Sequence, residues 1–177
     1  MNELPHHLVR WLCHDLATPI ASVMTASELL DDKPDPEINE LIQFGARRLT
    51  GRLRLVRLAL GAADAAMSSA ALERLIREGL DGTNVDWAFA GDASEGMPAV
   101  VAGCAMLLAD LNRTRAITVT PSAVIMAQGC TWPDSVAAVF SGAPAVCNRG
   151  AVAAMVVAAA HRAGRELSHS ANGLSWR

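Results

Sequence analysis

The chain has 177 residues, 51% of them hydrophobic, and a formal net charge of −3. That is enough apolar material for the core of one domain or two small ones, and with no Lys/Arg-rich run interleaved with aromatics it speaks against nucleic acid as a partner. Cys13, Cys104, Cys130 and Cys147 are widely spaced with no CxxC, which fits thiols of a reducing compartment better than a disulfide or metal framework. The N-terminus MNELPHHLVRWL lacks a basic start followed by an apolar signal segment, and the most apolar run, Ala151 to Ala160, is too short to cross a bilayer. A cytoplasmic protein without a membrane partner is the expectation.

Up to Gly61 the pattern is helical. Leu8, Leu12, Leu16, Pro19, Val23 and Leu30 recur at three- and four-residue steps, as do Ile38, Ile42, Gly45, Leu49, Leu53, Val56 and Leu60. Between the two stripes DDKPDPE, with Asp31, Asp32 and Asp35, supplies a turn and an acidic helix start. The result is a helical hairpin over residues 1–63. One such hairpin buries little surface alone, whereas two from two chains make a four-helix bundle with the stripes inside, so a homodimer is expected.

Residues 64–177 alternate in character. GAADAAMSSA is a small-residue linker, ALERLIREGL a helix, VDWAFAG a short strand and MPAVVAGCAMLLADLN a second helix. AITVT and AVIMA flank Pro121 and Ser122 as a hairpin, AVAAMVVAAAHRAG is another helix, and RELSHS with LSWR closes on a turn containing Asn172-Gly173. The whole is expected to be α plus α+β, with a mostly antiparallel sheet in the second part.

The segment LCHDLATPIA carries the chemistry. At about 100° per residue, His14 points about 160° from the apolar stripe of its helix, toward water. Arg10, Ala17, Thr18 and Ala21 share its face and are mostly small, leaving room for another protein to reach the ring, while Trp11 at the edge is either an anchor for that partner or packed inside the bundle. A neutral imidazole is a nucleophile near physiological pH, and a neighbouring carboxylate such as Asp15 can hold its other ring N–H. Thr18, one turn on, can hydrogen-bond a phosphoryl oxygen or a water, and Pro19 sets the local bend. His7 lies one heptad before His14, but no third ligand is evident, so no metal is expected. Arg47, Arg48, Arg52, Arg54 and Arg57 fall on several sides of the second helix and read mainly as solvated surface, able to steer an acidic partner.

His14-Asp15-Leu16-Ala17-Thr18-Pro19 resembles the H box of two-component histidine kinases, placed as in that family on the first helix of a dimerising hairpin. The resemblance implies His14 as phosphoacceptor, Asp15 as acid/base or orienting neighbour, and Thr18 as the residue that positions phosphate or a hydrolytic water. Ala17 stands where kinases often have a basic residue. The order of later elements is similar to a histidine kinase ATPase (Bergerat) domain, without its Asn-rich helix, Asp-x-Gly-x-Gly loop or glycine-rich lid. Asn112 falls near a helix end as a cap or turn residue, and AQGCTWP has neither the Asp nor the glycines. A kinase-like hairpin followed by a small degenerate ATP-binding-like α/β sandwich is similar to the ChpT-type histidine phosphotransferases of bacterial phosphorelays.

That resemblance implies receiver domains of a hybrid kinase and of response regulators as partners. It implies no cofactor of the chain's own, with Mg2+ on the receiver. The other readings are a non-catalytic response-regulator-binding module, an aspartyl-phosphate phosphatase using Thr18, and an ATP-dependent kinase.

Overall fold

The computed structural model describes residues 3–30, 36–62, 65–112 and 116–177. The acidic turn at 31–35 and the boundary expected at 63/64 lie outside the described residues. Two long helices come first: α1 (Leu4–Glu28), with Pro5 in its first turn, and α2 (Pro36–Ala59). α3 (Ser69–Gly79) starts at an N-cap where the Ser68 hydroxyl accepts from Ala71 N–H at 3.3 Å. Then follow β1 (Asn84–Trp87), α4 (Met97–Asn112), β2 (Ala116–Val119) and β3 (Ala123–Ile125). The chain continues through α5 (Asp134–Phe140), α6 (Asn148–Arg162), β4 (Leu167–Ser170) and β5 (Gly173–Trp176). Sequence reasoning reaches each of these within a few residues except α5, which has only seven residues and shows no periodicity long enough to read.

The sheet has the order β1-β2-β3-β5-β4. β1 and β2 are parallel, joined across α4, and the other three pairings are antiparallel. Alternation gives the sheet one apolar face: Val85, Ile117, Val119, Val124, Leu174 and Trp176 are buried, and their strand neighbours other than Gly173 are half-buried or exposed. α4 packs on β2 and β3, and α6 on β4, to cover that face. The hairpin forms a further layer, with α2 on α3 and α4 and α1 on α6.

The face of α2 that the chain itself buries differs in part from the stripe read from the sequence. Val56 of the α2 stripe is buried in the chain's own core together with Leu55, Leu58 and Ala59, which lie outside that stripe, and this core is continuous with Leu72 and Ile76 of α3, all of α4 from Met97 to Ala109 and much of α6. Leu8, Trp11 and Leu12 of α1 pack against the same core. The single chain leaves exposed Leu53 and Leu60 of the α2 stripe, and on α1 Val9, Ile20 and Met24, which lie outside the stripe read there. The second part of the molecule covers half of the hairpin because α4 is apolar on every side.

Two glycines let α2 approach α3 backbone to backbone. A Cβ on Gly51 would collide with the Glu78 carbonyl, and one on Gly79 with the Leu55 side chain, 2.7 Å from its Cδ2. Gly51→Ala should therefore destabilise the protein. The helix-propensity gain of about 1 kcal/mol is outweighed by an overpacking cost of about 1–3 kcal/mol, since a backbone carbonyl cannot swing aside. Urea unfolding should show a lower midpoint with an unchanged slope.

Candidate functional site

α1 presents His14, Ala17, Thr18, Ala21 and Arg10 exposed to solvent, and continues unbroken past Pro19. The ring of Pro19 has no N–H for the Asp15 carbonyl four residues back, so the helical ladder is interrupted in the turn that follows His14. Ser22 Oγ donates to the Thr18 carbonyl at 3.0 Å in the same stretch. Among the described residues neither the His14 imidazole nor the Thr18 hydroxyl is held by a hydrogen bond or ion pair.

His14 and Thr18 stand on a cleft of about 420 Å³. Its walls are α1, the side of α2 bearing Leu41, Phe44, Arg48 and Arg52, the segment after α3 through Asp81 and Thr83, and the last turn of α4 at Asp110. Gly45 sits against Val23 where α1 and α2 close below it, with space for no side chain: a Cβ would stand 2.6 Å from Val23 Cγ2. On the far wall Arg48 lies 5.7 Å over the Phe44 ring and pairs with Asp81 at 2.7 Å, both side chains being well exposed.

Beside His14 the structure builds a charge cluster that sequence reasoning does not reach. Arg52 donates through Nε to Asp15 Oδ2 at 2.7 Å and through Nη2 to Asp15 Oδ1 at 3.0 Å. The same Nη2 donates to Asp110 Oδ2 at 2.7 Å, and the guanidinium carbon lies 6.0 Å from the centre of the Trp11 ring. The Arg52 side chain is only 13% exposed, that of Asp15 20% and that of Asp110 32%. Arg52 is thus an internal tie among α1, α2 and α4 and not solvated helix surface. Asp15, expected to hold the imidazole of His14, spends both oxygens on Arg52. Trp11, considered as a partner anchor, is half-buried against the core and under Arg52, so most of its apolar face serves its own chain.

The cluster also sets protonation. Burial works against the charge of Arg52, but the Asp15 hydrogen bond and the charges of Asp110 and Asp15 outweigh it and raise its pKa. Burial pushes the Asp110 carboxyl above the ordinary aspartate value, against the pull of Arg52; the negative charge of Asp15 adds to the rise, and Arg149 opposes it. One signal for this tie was present in the sequence: Asp110 is the sole charged residue of α4, and a lone carboxylate in an apolar helix needs a cation nearby.

No protein-family model and no curated protein sequence matches this chain. A solved 1.7 Å structure of a bacterial phosphotransferase is similar, with a TM-score of 0.75 and 19% sequence identity, over 98% of this chain and 94% of that chain. At that identity the likeness establishes a shared fold across nearly the full length. Among the described residues no three His, Cys, Asp or Glu side chains are grouped to hold a metal ion, and no helix is long and apolar enough to cross a membrane.

The raised Asp110 pKa has a consequence for stability. The native state holds this proton more tightly than the unfolded chain, so the contribution of Asp110 to stability is greatest below the ordinary aspartate pKa of about 3.9. It falls as pH rises from there through the raised value. Asp110→Asn should remove that slope. Urea midpoints followed upward from about pH 4 should show the wild type losing more stability than the variant across this window.

Proposed function

We propose that this chain is a histidine phosphotransferase of a bacterial two-component phosphorelay. It takes a phosphoryl group onto His14 from the aspartyl phosphate of one receiver domain and passes it to the aspartate of a second, without binding ATP. The observation that carries the reading is an exposed, unengaged imidazole beside a roomy cleft, one helical turn from a free Thr18 hydroxyl. The full-length likeness to a bacterial phosphotransferase fold is consistent with it.

In the first step the lone pair of one imidazole nitrogen attacks phosphorus. The N–P bond forms as the P–O bond to the donor aspartate breaks, the carboxylate leaves with the bonding pair, and the other ring nitrogen keeps its proton. Transfer to the acceptor aspartate is the same step reversed. Mg2+ on the receiver neutralises charge on the moving group, so the chain need supply only nucleophile, alignment and docking surface. Thr18 donates its hydroxyl to a phosphoryl oxygen. Arg10, Ala17 and Ala21 flank the ring as the contact surface for the receiver, and the α+β part, read as a degenerate ATPase-like domain, caps the hairpin and adds docking area. Val9, Ile20 and Met24 with Leu53 and Leu60 form the seam of a homodimer, as exposed apolar side chains on both helices of the hairpin. The reaction belongs to the cytoplasm, where receivers reside.

The test is to incubate the purified protein with labelled ATP alone, and separately with phosphorylated receiver domains. Acid-labile, base-stable label should arrive only from a receiver, and His14→Gln should abolish it. Label taken directly from ATP would make the protein a kinase, and receiver phosphate lost without label on His14 would make it a phosphatase. Ile20→Asp should shift the species seen by light scattering from dimer toward monomer at micromolar concentration; a wild type that is monomeric throughout overturns the dimer.

A further inference from the structure

We propose that Arg52 is the positioning residue of the transfer site, holding the turn that carries His14 against α4 by bridging Asp15 and Asp110. The inference rests on the reading of His14 as phosphoacceptor. Three observations lead to it. First, the turn needs holding: Pro19 leaves the Asp15 carbonyl without its helical N–H, so α1 has its weakest backbone link next to the residue that must present a nucleophile. Second, Arg52 supplies a link there, bidentate to the carboxylate of Asp15 at 2.7 and 3.0 Å. Third, the same Nη2 that bonds Asp15 also reaches Asp110 at 2.7 Å, at the end of a helix buried from Met97 to Ala109, while the neighbouring Gly51 is locked against the Glu78 backbone. Arg52 therefore transmits the rigidity of α3 and α4 to α1. A lysine replaces it only in part, since an ammonium keeps the charge but is a point charge, and the bridge uses the planar fork of the guanidinium.

The role of Asp15 changes accordingly. It acts on His14 through the helix turn they share, as the handle by which Arg52 holds that turn. In-line transfer between two proteins is sensitive to misplacement, and a shift of about 1 Å costs up to about a hundredfold in rate.

The experiment measures transfer to the full-length protein from the receiver domain of its own genome that labels the wild type fastest, charged with labelled acetyl phosphate. Rate is followed against receiver concentration for the wild type, Arg52→Gln, Arg52→Lys and Asp110→Asn, each corrected for its folded fraction by circular dichroism. The expected result is a fall of about tenfold or more in the saturating rate for Arg52→Gln, with the half-saturating concentration unchanged within about twofold and Arg52→Lys intermediate. A saturating rate equal to wild type in folded variants overturns the inference and leaves His14 as phosphoacceptor; so does a rise in half-saturating concentration alone, which would make Arg52 a docking residue. Should Arg52→Gln fail to fold, Asp110→Asn carries the test with the same split between rate and half-saturation. Absence of label on the wild type overturns the reading of His14 and this inference together.

Discussion

The structure is organised around a helix that has to be covered on all sides. α4 has sixteen residues and one charged side chain, and its residues from Met97 to Ala109 are buried. A sheet alone covers one face of such a helix, leaving the rest to water at about 25 cal/mol for each Å² of apolar surface. The remaining faces are taken by α2, α3 and α6. Docking of the hairpin is thus a requirement of α4 and not an accident of a short linker, and it brings the last turn of α4, with Asp110, beside the helix that bears His14.

Enclosure of that kind leaves little latitude for charge. Asp110 sits where the apolar surface ends, and Arg52 answers it while also answering Asp15. One guanidinium facing two carboxylates leaves an excess of negative charge, which the raised pKa of Asp110 relieves at the acid end. Buried pairs of this kind contribute little net stability once desolvation is counted, yet removing one partner is costly. Such a cluster serves to fix geometry more than to add stability, which suits the proposed role of His14 as a phosphoacceptor.

How much of this could be read from the chain depends on the range of each interaction. The long helices were legible because their apolar steps persist over many turns, and the closing hairpin because Asn172-Gly173 marks a tight turn and Gly173, at φ +145°, lies where a side chain would strike the Val124 backbone. The exposure of His14 followed from its angle to the stripe of Leu8 and Leu12. The burial of Leu55 and Leu58 did not, because both lie off the stripe of Leu53, Val56 and Leu60, and a stripe says that a face is covered and not by what. Arg52 looked like one of five arginines on a polar helix; its partners lie 37 and 58 residues away in sequence, and only the tertiary fold brings them together. Trp11 was open to two readings for the same reason.

The three-helix tie also shapes how this sequence can change over generations. Asp15, Arg52 and Asp110 share one guanidinium, so loss of Arg52 strands two carboxylates in a half-buried place, whereas loss of either aspartate leaves a balanced pair. Descendants of this chain can therefore shed one aspartate at a time, but Arg52 can be lost without stranded charge only after both carboxylates have gone, which orders the steps by which the tie can disappear.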